Sequence, residues 1–411
     1  MTTKKQCRFC HSSLEQPFID LGETPLANSY LTQKKLLSPE PTYPLRVLVC
    51  SKCKLVQTDT FVSPRDIFSN YAYFSSYSDS WVEHARQFTV MAIKRFGLSA
   101  SSQIIEVASN DGYLLRHFVQ ANIPVLGIEP AENIAEVARS IGVNTECRFF
   151  GAATAKDLLA QGKSADLLIG NNVLAHVPDI NDFVEGLAIL LKPEGVISLE
   201  FPHLLKLMQY VQFDTVYHEH FYYISLLALE MVFAKYGLRI FDVEELKTHG
   251  GSLRIMATHV SSKAHLTQKS VAHIRENEIS YGLDNIETYL LFQNRIEPIR
   301  EGLLHFLRQA KRDGKTIVAY GAAAKGNTLL NFCKIGTDLI QYVVDRNPHK
   351  QNHFLPGSKL PVYSPEKIEE TKPDYVLILP WNIKEEVIAT NKIQSWGGRF
   401  VVAIPTLEIL A

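Results

Sequence analysis

Two pairs of cysteines stand at spacings that suit a metal ion. Cys7 and Cys10 form one C-x-x-C sequence, and Cys50 and Cys53 form another further along the chain. Each C-x-x-C turn places two thiolates on one side of a tight loop, so two turns supply the four soft ligands of a structural zinc site. His11 lies beside them, but four thiolates already complete the shell. The alternatives are a redox C-x-x-C, unrelated free thiols or a nucleic-acid-binding zinc ribbon.

A strand–turn–helix segment has the residue types of a nucleoside-binding site. The run 104–115 ends a hydrophobic strand with Glu106, continues through small and polar residues, and opens a helix near Gly112. Small residues let a ligand approach the backbone closely. About one strand later, Glu129 places a carboxylate where it could bind two ribose hydroxyls, as in dinucleotide folds. The alternative is an ordinary strand-to-helix turn that binds nothing.

The chemistry of this turn favours S-adenosylmethionine over a nicotinamide cofactor. A nicotinamide cofactor needs a diphosphate cradle such as G-x-G-x-x-G, whereas residues 108–112 read Ala-Ser-Asn-Asp-Gly. S-adenosylmethionine has a sulfonium cation and no phosphate, so it tolerates acidic neighbours. A third strand-end segment, 166–179, adds polar groups that would close over the sulfonium. The predicted cofactor-binding residues are Glu106, Ser109, Asn110, Asp111, Gly112, Leu115, Glu129, Pro130, Asn171 and Asn172.

Alternating strand and helix patterns surround this turn and predict an α/β fold. Two runs after it, 238–245 and 252–259, are expected to form an antiparallel strand pair, and a second α/β run begins at Lys315. Helices are expected after a cap at Asp79 or Ser80, ending at Gly97, and across about 265–312. The predicted central strands are 103–108, 124–129, 166–170 and 195–201.

A histidine-containing segment follows the strand that ends at Phe201. Residues 213–223 therefore lie at the carboxyl edge of the sheet, where open α/β folds bind their substrates. Methylation of carbon needs a carbon nucleophile, and a base with a pKa near neutrality can create one beside a ketone, a role that histidine fits. The alternatives are a metal site made of His218, Glu219 and His220, or histidines satisfied inside a polar core.

The chain resembles the family of sugar C-methyltransferases that act on nucleotide-linked ketodeoxysugars. The resemblance implies an N-terminal zinc-binding module, a central Rossmann-like class I methyltransferase domain and a C-terminal Rossmann-like α/β domain. Ala108 and Asn110 depart from general methyltransferases, in which glycines are common at these positions. The resemblance covers essentially the whole chain and rests on Cys7, Cys10, Cys50, Cys53 and residues 106–112, 171–176, 217–221, 249–254 and 321–328.

The resemblance also implies a catalytic set. His220 matches the base that removes the proton beside the sugar ketone, giving an enolate that attacks the sulfonium methyl, and Glu219 lies next to it. Tyr217 and Tyr71 would act on substrate hydroxyls or on the oxyanion, and His176 would line the site. The expected reaction is methylation of a carbon next to the 4-keto group, in deoxysugar biosynthesis.

The C-terminal half offers candidate residues for the nucleotide of such a substrate. Gly321, Lys325 and Asn327 lie in a small-residue turn that opens a helix, where backbone N–H groups and the lysine would bind the diphosphate. A degenerate Rossmann turn that binds nothing is the alternative. Arg254, in a glycine-rich segment, and Trp381 with Asn382, at another strand end, complete the substrate-binding candidates.

Composition agrees with an enzyme that handles a small substrate. Apolar residues make up 46% and charged residues 21% of the chain, and the formal net charge is −1. This balance gives no electrostatic reason to expect nucleic acid or a membrane as a partner. No secretory segment or bilayer-length apolar run is visible, so a cytoplasmic location is expected. The sequence leaves the oligomeric state open and is compatible with a monomer.

Four consecutive units are expected from these features. They are a zinc-binding module at 1–65, a methyltransferase domain at 66–262, a helical connector at 263–312 and a Rossmann-like substrate-binding domain at 313–411. Two other functions stay open from the sequence. One is methylation of an oxygen on a sugar or another small acceptor, and the other is a non-catalytic zinc-ribbon scaffold that binds nucleotides.

Overall fold

Three β-sheets with surrounding helices make up the chain, which confirms the predicted α/β class. The structure is a computed structural model that describes residues 5–59 and 74–410. The strands are β1 (Gln16–Thr24), β2 (Tyr43–Val49), β3 (Val56–Thr58), β4 (Ile104–Val107), β5 (Val125–Ile128), β6 (Thr145–Glu146), β7 (Ala165–Asn171), β8 (Leu191–Pro202), β9 (Tyr222–Tyr223), β10 (Leu238–Leu246), β11 (Ser252–His259), β12 (Ile317–Tyr320), β13 (Val343–Val344), β14 (Val362–Tyr363), β15 (Tyr375–Ile378), β16 (Arg399–Val402) and β17 (Glu408–Leu410).

The helices lie mainly between these strands. They are α1 (Asp79–Phe96), α2 (Leu115–Gln120), α3 (Glu132–Ser140), α4 (Ala152–Ala160), α5 (Ile180–Leu190), α6 (Leu204–Gln209), α7 (Leu226–Lys235), α8 (Lys269–Tyr281), α9 (Ile286–Leu290), α10 (Gln293–Arg312), α11 (Ala324–Phe332), α12 (Glu366–Thr371) and α13 (Lys384–Thr390).

The central sheet has seven strands in the order β10-β11-β8-β7-β4-β5-β6. Its strands β8, β7, β4, β5 and β6 are parallel, and β11 pairs antiparallel with both β8 and β10. The predicted antiparallel pair is therefore confirmed. Strand order reverses between β4 and β7, so a ligand crevice is expected outside the carboxyl ends of these two strands.

The C-terminal sheet repeats this arrangement on a smaller scale. Its order is β14-β13-β12-β15-β16-β17, and every pair except the last is parallel. The order reverses between β12 and β15. The carboxyl ends of these strands therefore form a second edge at which a ligand can bind.

The first sheet was not foreseen from the sequence, which suggested only short, turn-rich structure in the cysteine-rich N-terminal region. Strands β1, β2 and β3 pair antiparallel, and β9 joins them as a fourth strand. Val56 pairs with Tyr223, and Gln57 pairs with Tyr222. Because β9 starts just after His220, this pairing fixes the histidine segment to the cysteine-rich part of the chain.

The remaining differences from the sequence predictions are local. Helix α1 is capped by Ser78, whose side chain accepts a hydrogen bond from the Trp81 N–H, so the predicted cap at Asp79 or Ser80 was wrong by one or two positions. Gly97 ends α1 with φ +61°, as predicted. Helix α4 was not predicted. The helical region from about 265 to 312 divides into α8, α9 and α10.

The N-terminal sheet shares hydrophobic cores with both of the other sheets. One core cluster contains Leu55 together with Leu174, and another contains Phe18 together with Leu330. Such shared cores fix the sheets relative to one another because interiors pack at crystal-like density. The predicted boundaries near residues 65, 262 and 312 stay predictions. Among the described helices, none combines the length and apolar character that crossing a bilayer requires.

Candidate active site and metal centre

Four thiols meet at the start of the N-terminal sheet. The sulfur atoms of Cys7, Cys10, Cys50 and Cys53 all lie within 4.8 Å of one another. The Cys7 and Cys53 sulfurs are 3.6 Å apart, and those of Cys10 and Cys50 are 3.5 Å apart. Tetrahedral zinc with Zn–S bonds of about 2.3 Å separates its sulfurs by about 3.8 Å, so the residues fit this metal. The described part of the chain shows no second such cluster, which leaves His218–His220 without support as a metal site.

Contacts from the metal centre reach the histidine segment. The Gln57 amide donates to the Cys7 sulfur at 3.2 Å and accepts from the backbone N–H of Arg8 at 3.0 Å. The Arg8 guanidinium donates to the carbonyl oxygens of Phe221 and Thr58, and it lies 5.0 Å from the centre of the Tyr222 ring. A residue inside the first C-x-x-C therefore anchors the backbone just after His220.

Unpaired polar atoms cluster at the switch point of the central sheet. We call this region the cofactor crevice and define it by Glu106, Ser109, Asp111, Glu129 and Asn171. Buried polar groups normally have hydrogen-bond partners, so unpaired ones indicate a polar ligand. Atoms that are buried and unpaired among the described residues include Glu106 Oε1 and Oε2, Ser109 Oγ, Asp111 Oδ1, Asn171 Oδ1 and Nδ2, and Asn172 Oδ1.

Charge in the cofactor crevice suits a cationic ligand. Burial, followed by the neighbouring Asp111 and Glu129 carboxylates, raises the pKa of Glu106 well above its usual range. A sulfonium or ammonium group would relieve this accumulation of acid, because an opposite charge favours the ionised carboxylate. Among the described residues, the cofactor crevice therefore fits S-adenosylmethionine on the chemistry of its donors and acceptors.

Glu129 follows β5 and faces the cofactor turn. Its Oε2 accepts from the Asn110 backbone N–H at 3.0 Å, and its Oε1 accepts from the Ala131 N–H at 2.9 Å. Burial raises the pKa of Glu129 to about 6. Each carboxylate oxygen has a second lone pair, so the fixed carboxylate can still accept two ribose hydroxyls. Pro130, next in the chain, contributes its carbonyl to a contact with Cys147.

The cofactor turn has a strained backbone at the two positions where its sequence departs from glycine. Ala108 has φ +54° and Asn110 has φ +50°, both in the left-handed region. Gly112 also has positive φ, and a Cβ there would lie 2.9 Å from a methyl carbon of Val143. Strain of this kind is typical of ligand-binding turns. Leu115, also predicted as a cofactor residue, is fully buried in the hydrophobic core.

Residues just before α1 close over the cofactor turn. The Ser75 backbone N–H donates to the Asn110 side-chain oxygen at 2.8 Å, and the Ser76 N–H and hydroxyl donate to Asp111 at 3.0 and 2.6 Å. Asn110 and Asp111 therefore position this segment besides facing the crevice. Tyr71, predicted to act on the substrate, lies outside the described residues.

The predicted catalytic residues come together beside the central sheet. We call this the histidine pocket and define it by His176, Tyr217, Glu219 and His220. The ring centres of Tyr217 and His220 are 3.9 Å apart, and those of His176 and His220 are 4.7 Å apart. His220 also faces a small cavity lined by apolar side chains that include Phe201.

Backbone carbonyls fix the tautomer of both histidines. His220 Nδ1 lies 2.9 Å from the Thr215 carbonyl oxygen, and His176 Nδ1 lies 2.8 Å from the Glu219 carbonyl oxygen. A carbonyl can only accept, so each Nδ1 carries the proton and each Nε2 carries a lone pair. Burial holds the pKa of His220 well below its usual range and lowers that of His176 to about 4. Both rings are therefore neutral near pH 7.

Glu219 is a buried carboxylate with a side-chain donor from the N-terminal region. The Asn28 amide donates to its two oxygens at 2.7 and 2.8 Å. Burial raises the pKa of Glu219 to about 7, and the Asn28 hydrogen bond lowers it in part. Since both oxygens accept, the geometry is that of the ionised form.

Comparison with known proteins places these features in one family. Residues 7–68 match a zinc binding domain, residues 81–243 a methyltransferase domain and residues 247–405 a C-methyltransferase C-terminal domain. The C-methyltransferase NovU of Streptomyces niveus is 35% identical to the chain, covering 99% of the chain and 97% of NovU. The chain belongs to the zinc-module C-methyltransferase family.

Other similarities are partial. An ubiquinone biosynthesis O-methyltransferase of Bartonella bacilliformis is 28% identical over 24% of this chain and 41% of its own length. The PH0226 protein of Pyrococcus horikoshii superimposes with a TM-score of 0.37 at 14% identity, covering 48% of this chain and 99% of that protein. A superposition this loose adds nothing to the family assignment.

Family membership confirms four predictions from the sequence. The protein is an S-adenosylmethionine-dependent C-methyltransferase, it has the predicted fold class, and its cofactors are S-adenosylmethionine and zinc. Carbon methylation replaces the alternative of an oxygen acceptor, and an enzyme replaces the non-catalytic scaffold.

The C-terminal residues of this C-methyltransferase divide into two groups. Lys325, Trp381 and Asn382 lie together: the lysine donates to the Asn382 side-chain oxygen at 2.7 Å and sits 4.8 Å from the centre of the Trp381 ring. The Trp381 N–H donates to Asp214 at 2.8 Å, just upstream of the histidine pocket. Burial raises the pKa of Asp214 to about 6 and lowers the pKa of Lys325.

The other substrate candidates occupy separate positions. Gly321 follows β12 with φ +90° and lines a cavity of about 190 Å³ with Asp345. Asn327 is buried, and its amide donates to the Ala27 carbonyl oxygen at 2.6 Å. Arg254 lies on β11, where its guanidinium donates to Glu200 at 3.0 Å. The structure therefore does not bring the six candidates into one cluster.

Several polar residues of the site were missed by the sequence reasoning. Glu200 lies buried at the carboxyl end of β8, where its oxygens meet His84 at 2.8 Å and the Thr248 hydroxyl at 2.9 Å. The Tyr223 hydroxyl is buried without a partner among the described residues and lines the same cavity as His220. Glu200 carried a signal, a carboxylate at a strand end, whereas Asn28 lies in a segment with no local motif.

Proposed function

We propose that this C-methyltransferase methylates a carbon next to the 4-keto group of a nucleotide-linked ketodeoxysugar. The observation that carries the proposal is the neutral His220 imidazole, with Nδ1–H held on the Thr215 carbonyl and Nε2 left as a base. A ketone acidifies the adjacent C–H bond, so a ketosugar is an acceptor that such a base can activate.

The proposed reaction begins with proton transfer to His220 Nε2. The C–H bond breaks, its electron pair forms an enolate with the ketone, and the proton stays on the imidazole. Because burial keeps His220 neutral, the base is available near pH 7 without a preceding deprotonation. The neighbouring His176 is also neutral, so the imidazolium that forms meets no second cation there.

Developing negative charge on the ketone oxygen needs hydrogen-bond donors. Tyr217, whose ring lies against His220, and the Tyr223 hydroxyl in the adjoining cavity are the donors we assign to it, and Tyr71 is a further candidate. Donors aimed at an oxyanion typically contribute about 2.7–4 kcal/mol to the transition state. Glu219, ionised beside His220, is assigned to a sugar hydroxyl, because a carboxylate accepts but cannot donate.

The cofactor crevice would hold the methyl donor at the same edge of the sheet. Bound S-adenosylmethionine supplies an electrophilic methyl group on a sulfonium sulfur. Glu129 would accept the ribose hydroxyls, and Glu106, Asp111 and Asn171 would meet the amino acid end, since their buried polar atoms lack partners among the described residues. The enolate carbon forms the new C–C bond as the sulfur–methyl bond breaks.

The nucleotide part of the substrate is assigned to the C-terminal sheet. Lys325 near the start of α11 gives a cation within the site, and the Gly321 turn borders a cavity at the carboxyl edge of β12. A partly desolvated lysine gains from an anionic partner, which supports a diphosphate as the neighbouring group.

A direct assay tests this function. The protein is incubated with methyl-labelled S-adenosylmethionine and a panel of dTDP-4-keto-6-deoxysugars, and the products are analysed by mass spectrometry and NMR. We expect one labelled methyl group bonded to a ring carbon adjacent to the ketone. A labelled methyl ether, or turnover only with acceptors that lack a ketone, would contradict the proposal.

A further inference from the structure

Asn28 links the N-terminal region to the histidine pocket. It follows β1 in a loop that leaves the cysteine-rich module, and its amide reaches the buried Glu219 carboxylate, 191 positions further along the chain. The rest of the Asn28 side chain is exposed to solvent, so the amide covers the carboxylate from the outside.

The C-terminal turn holds the loop that carries Asn28 on both sides. The Asn327 amide donates to the Ala27 carbonyl oxygen at 2.6 Å, and the Tyr30 hydroxyl donates to the Ala322 carbonyl oxygen at 2.5 Å. Asn327 is buried, so its hydrogen bond is protected from water. The position of Asn28 is therefore set by residues next to the predicted diphosphate turn.

The contact also bears on both histidines through the backbone. Glu219 presents its carbonyl oxygen to His176 Nδ1 at 2.8 Å, and the next residue is His220, whose backbone N–H donates to the Tyr217 carbonyl oxygen at 3.0 Å. A carboxylate clamped by Asn28 thus fixes the side-chain end of a residue whose backbone already holds His176.

We propose that Asn28, contributed by the zinc-binding module, is a positioning residue that keeps the Glu219 carboxylate ionised and oriented beside His220. This inference rests on the proposed function, because it takes Glu219 to act on the acceptor sugar. It gives the zinc-binding module a part in the methyl-transfer site in addition to its own folding.

The competing explanation is that Asn28 merely joins two parts of the fold. Asn181 provides a matched control for that role. Its amide donates to the carbonyl oxygens of Arg8 and Phe9 at 2.7 and 3.2 Å, so it also joins the zinc-binding module to the rest of the chain. The contacts of Asn181 do not include Glu219, and a purely structural role predicts similar behaviour for the two asparagines.

The main test compares Asn28→Asp with Asn181→Asp. Aspartate keeps the shape of asparagine but donates nothing, and at position 28 it places a second carboxylate against Glu219. Two carboxylates that share a site raise the pKa of one of them strongly. We expect the acid limb of the kcat/KM profile to move up by about 1 pH unit or more in Asn28→Asp, a roughly ten-fold loss on that limb per unit. Asn181→Asp should leave the limb in place.

A second measurement does not depend on activity. The Glu219 carboxyl is followed by 13C NMR with labelled glutamate, and its signal is assigned by difference from Glu219→Gln. Its titration midpoint should rise in Asn28→Asp and stay unchanged in Asn181→Asp. If the wild-type protein methylates no ketosugar, the proposed function fails, while this titration still decides whether Asn28 controls Glu219.

Folding controls keep the test decisive. Zinc content and thermal unfolding are measured for each variant, and Asn28→Ala serves as a second replacement because the side chain is exposed and its truncation is tolerated more easily. Asn28→Ala should lower kcat/KM by roughly ten-fold with S-adenosylmethionine affinity retained. An unchanged midpoint in Asn28→Asp together with wild-type kinetics in Asn28→Ala would overturn the proposal.

Discussion

The cofactor crevice and the histidine pocket lie at the same edge of the central sheet, yet they are built in different ways. Glu106, Ser109 and Glu129 come from neighbouring strand ends of one sheet and lie close together along the chain. The histidine pocket depends on the zinc-binding module, through β9 and Asn28, and adjoins Lys325 of the C-terminal sheet. One site is local, and the other is assembled from the whole chain.

This difference predicts that damage to remote parts of the chain will affect the two sites unequally. A local site needs only its own sheet to be folded, whereas an assembled site needs every contributing unit in place. The two sites can be measured separately, because S-adenosylmethionine affinity reports on the crevice and turnover at saturating donor reports on the histidine pocket.

Loss of the metal centre should separate the sites most strongly. Structural zinc contributes on the order of 10–16 kcal/mol to the folding of small modules, and Cys53→Ser removes one ligand. We expect turnover to fall by about 1,000-fold or more, because β9 and Asn28 lose their support, while donor affinity changes by less than about ten-fold. Zinc analysis, calorimetry and product assays measure the three quantities. Equal loss of donor affinity and turnover would remove the distinction.

Replacement of the base should have the next largest effect. His220→Ala removes the proton acceptor, and general base catalysis typically contributes about 10²–10⁴-fold to the rate. Single-turnover experiments with saturating S-adenosylmethionine should show this loss, with donor affinity nearly unchanged. Loss of folding or of donor binding in this variant would assign His220 a structural role.

The reverse pattern is expected from the crevice. Glu129→Ala removes the acceptor for two ribose hydroxyls, and hydrogen bonds to a charged group contribute about 1.5–3 kcal/mol. Donor affinity measured by calorimetry should fall by roughly 10–100-fold, whereas turnover at saturating donor stays within a few-fold of wild type. A large loss of turnover at saturation would show that the crevice and the pocket are coupled.

The pH dependence should distinguish the sites in the unmodified protein. Burial raises the pKa of Glu129 to about 6 and that of Glu219 to about 7, and both carboxylates are needed in their ionised form. Ionised carboxylates are lost as the pH falls through their pKa values. Donor affinity should therefore weaken below pH 6, and turnover at saturating donor should already weaken below pH 7. Acid limbs that coincide would contradict the assignment.

A smaller effect is expected from relaxing the cofactor turn. Ala108 has a left-handed backbone, and glycine adopts that conformation without the cost of about 1–2 kcal/mol that an L side chain incurs. Part of this gain is lost to the greater freedom of glycine in the unfolded chain, so Ala108→Gly should raise the free energy of unfolding by about 0.5–1 kcal/mol in thermal or urea denaturation. A destabilised variant would show that the Ala108 methyl group has a packing role.

The same contrast explains what could be predicted from the sequence. The strand–turn–helix around Glu106 and the carboxylate after β5 are local patterns, so the fold class, the cofactor and the position of the turn followed from them. The two cysteine pairs likewise carry their chemistry in their spacing.

The contacts that complete the histidine pocket were not predictable in this way. Asn28 meets Glu219 across 191 positions, and Thr58 donates to the His220 carbonyl oxygen across 162. Neither residue lies in a motif, and their proximity depends on β9 joining the sheet made by β1, β2 and β3. Arg254 shows the converse: its glycine-rich neighbourhood suggested a substrate contact, whereas its guanidinium is engaged by Glu200.

The central claim is that His220 removes a proton beside a ketone. The most direct test is hydrogen exchange into a dTDP-4-keto-6-deoxysugar in D2O, with S-adenosylhomocysteine present so that no methyl transfer occurs. NMR and mass spectrometry should show deuterium at one ring carbon adjacent to the ketone with the wild-type protein, and no enzyme-dependent exchange with His220→Ala. Exchange at the wild-type rate in His220→Ala would contradict the account.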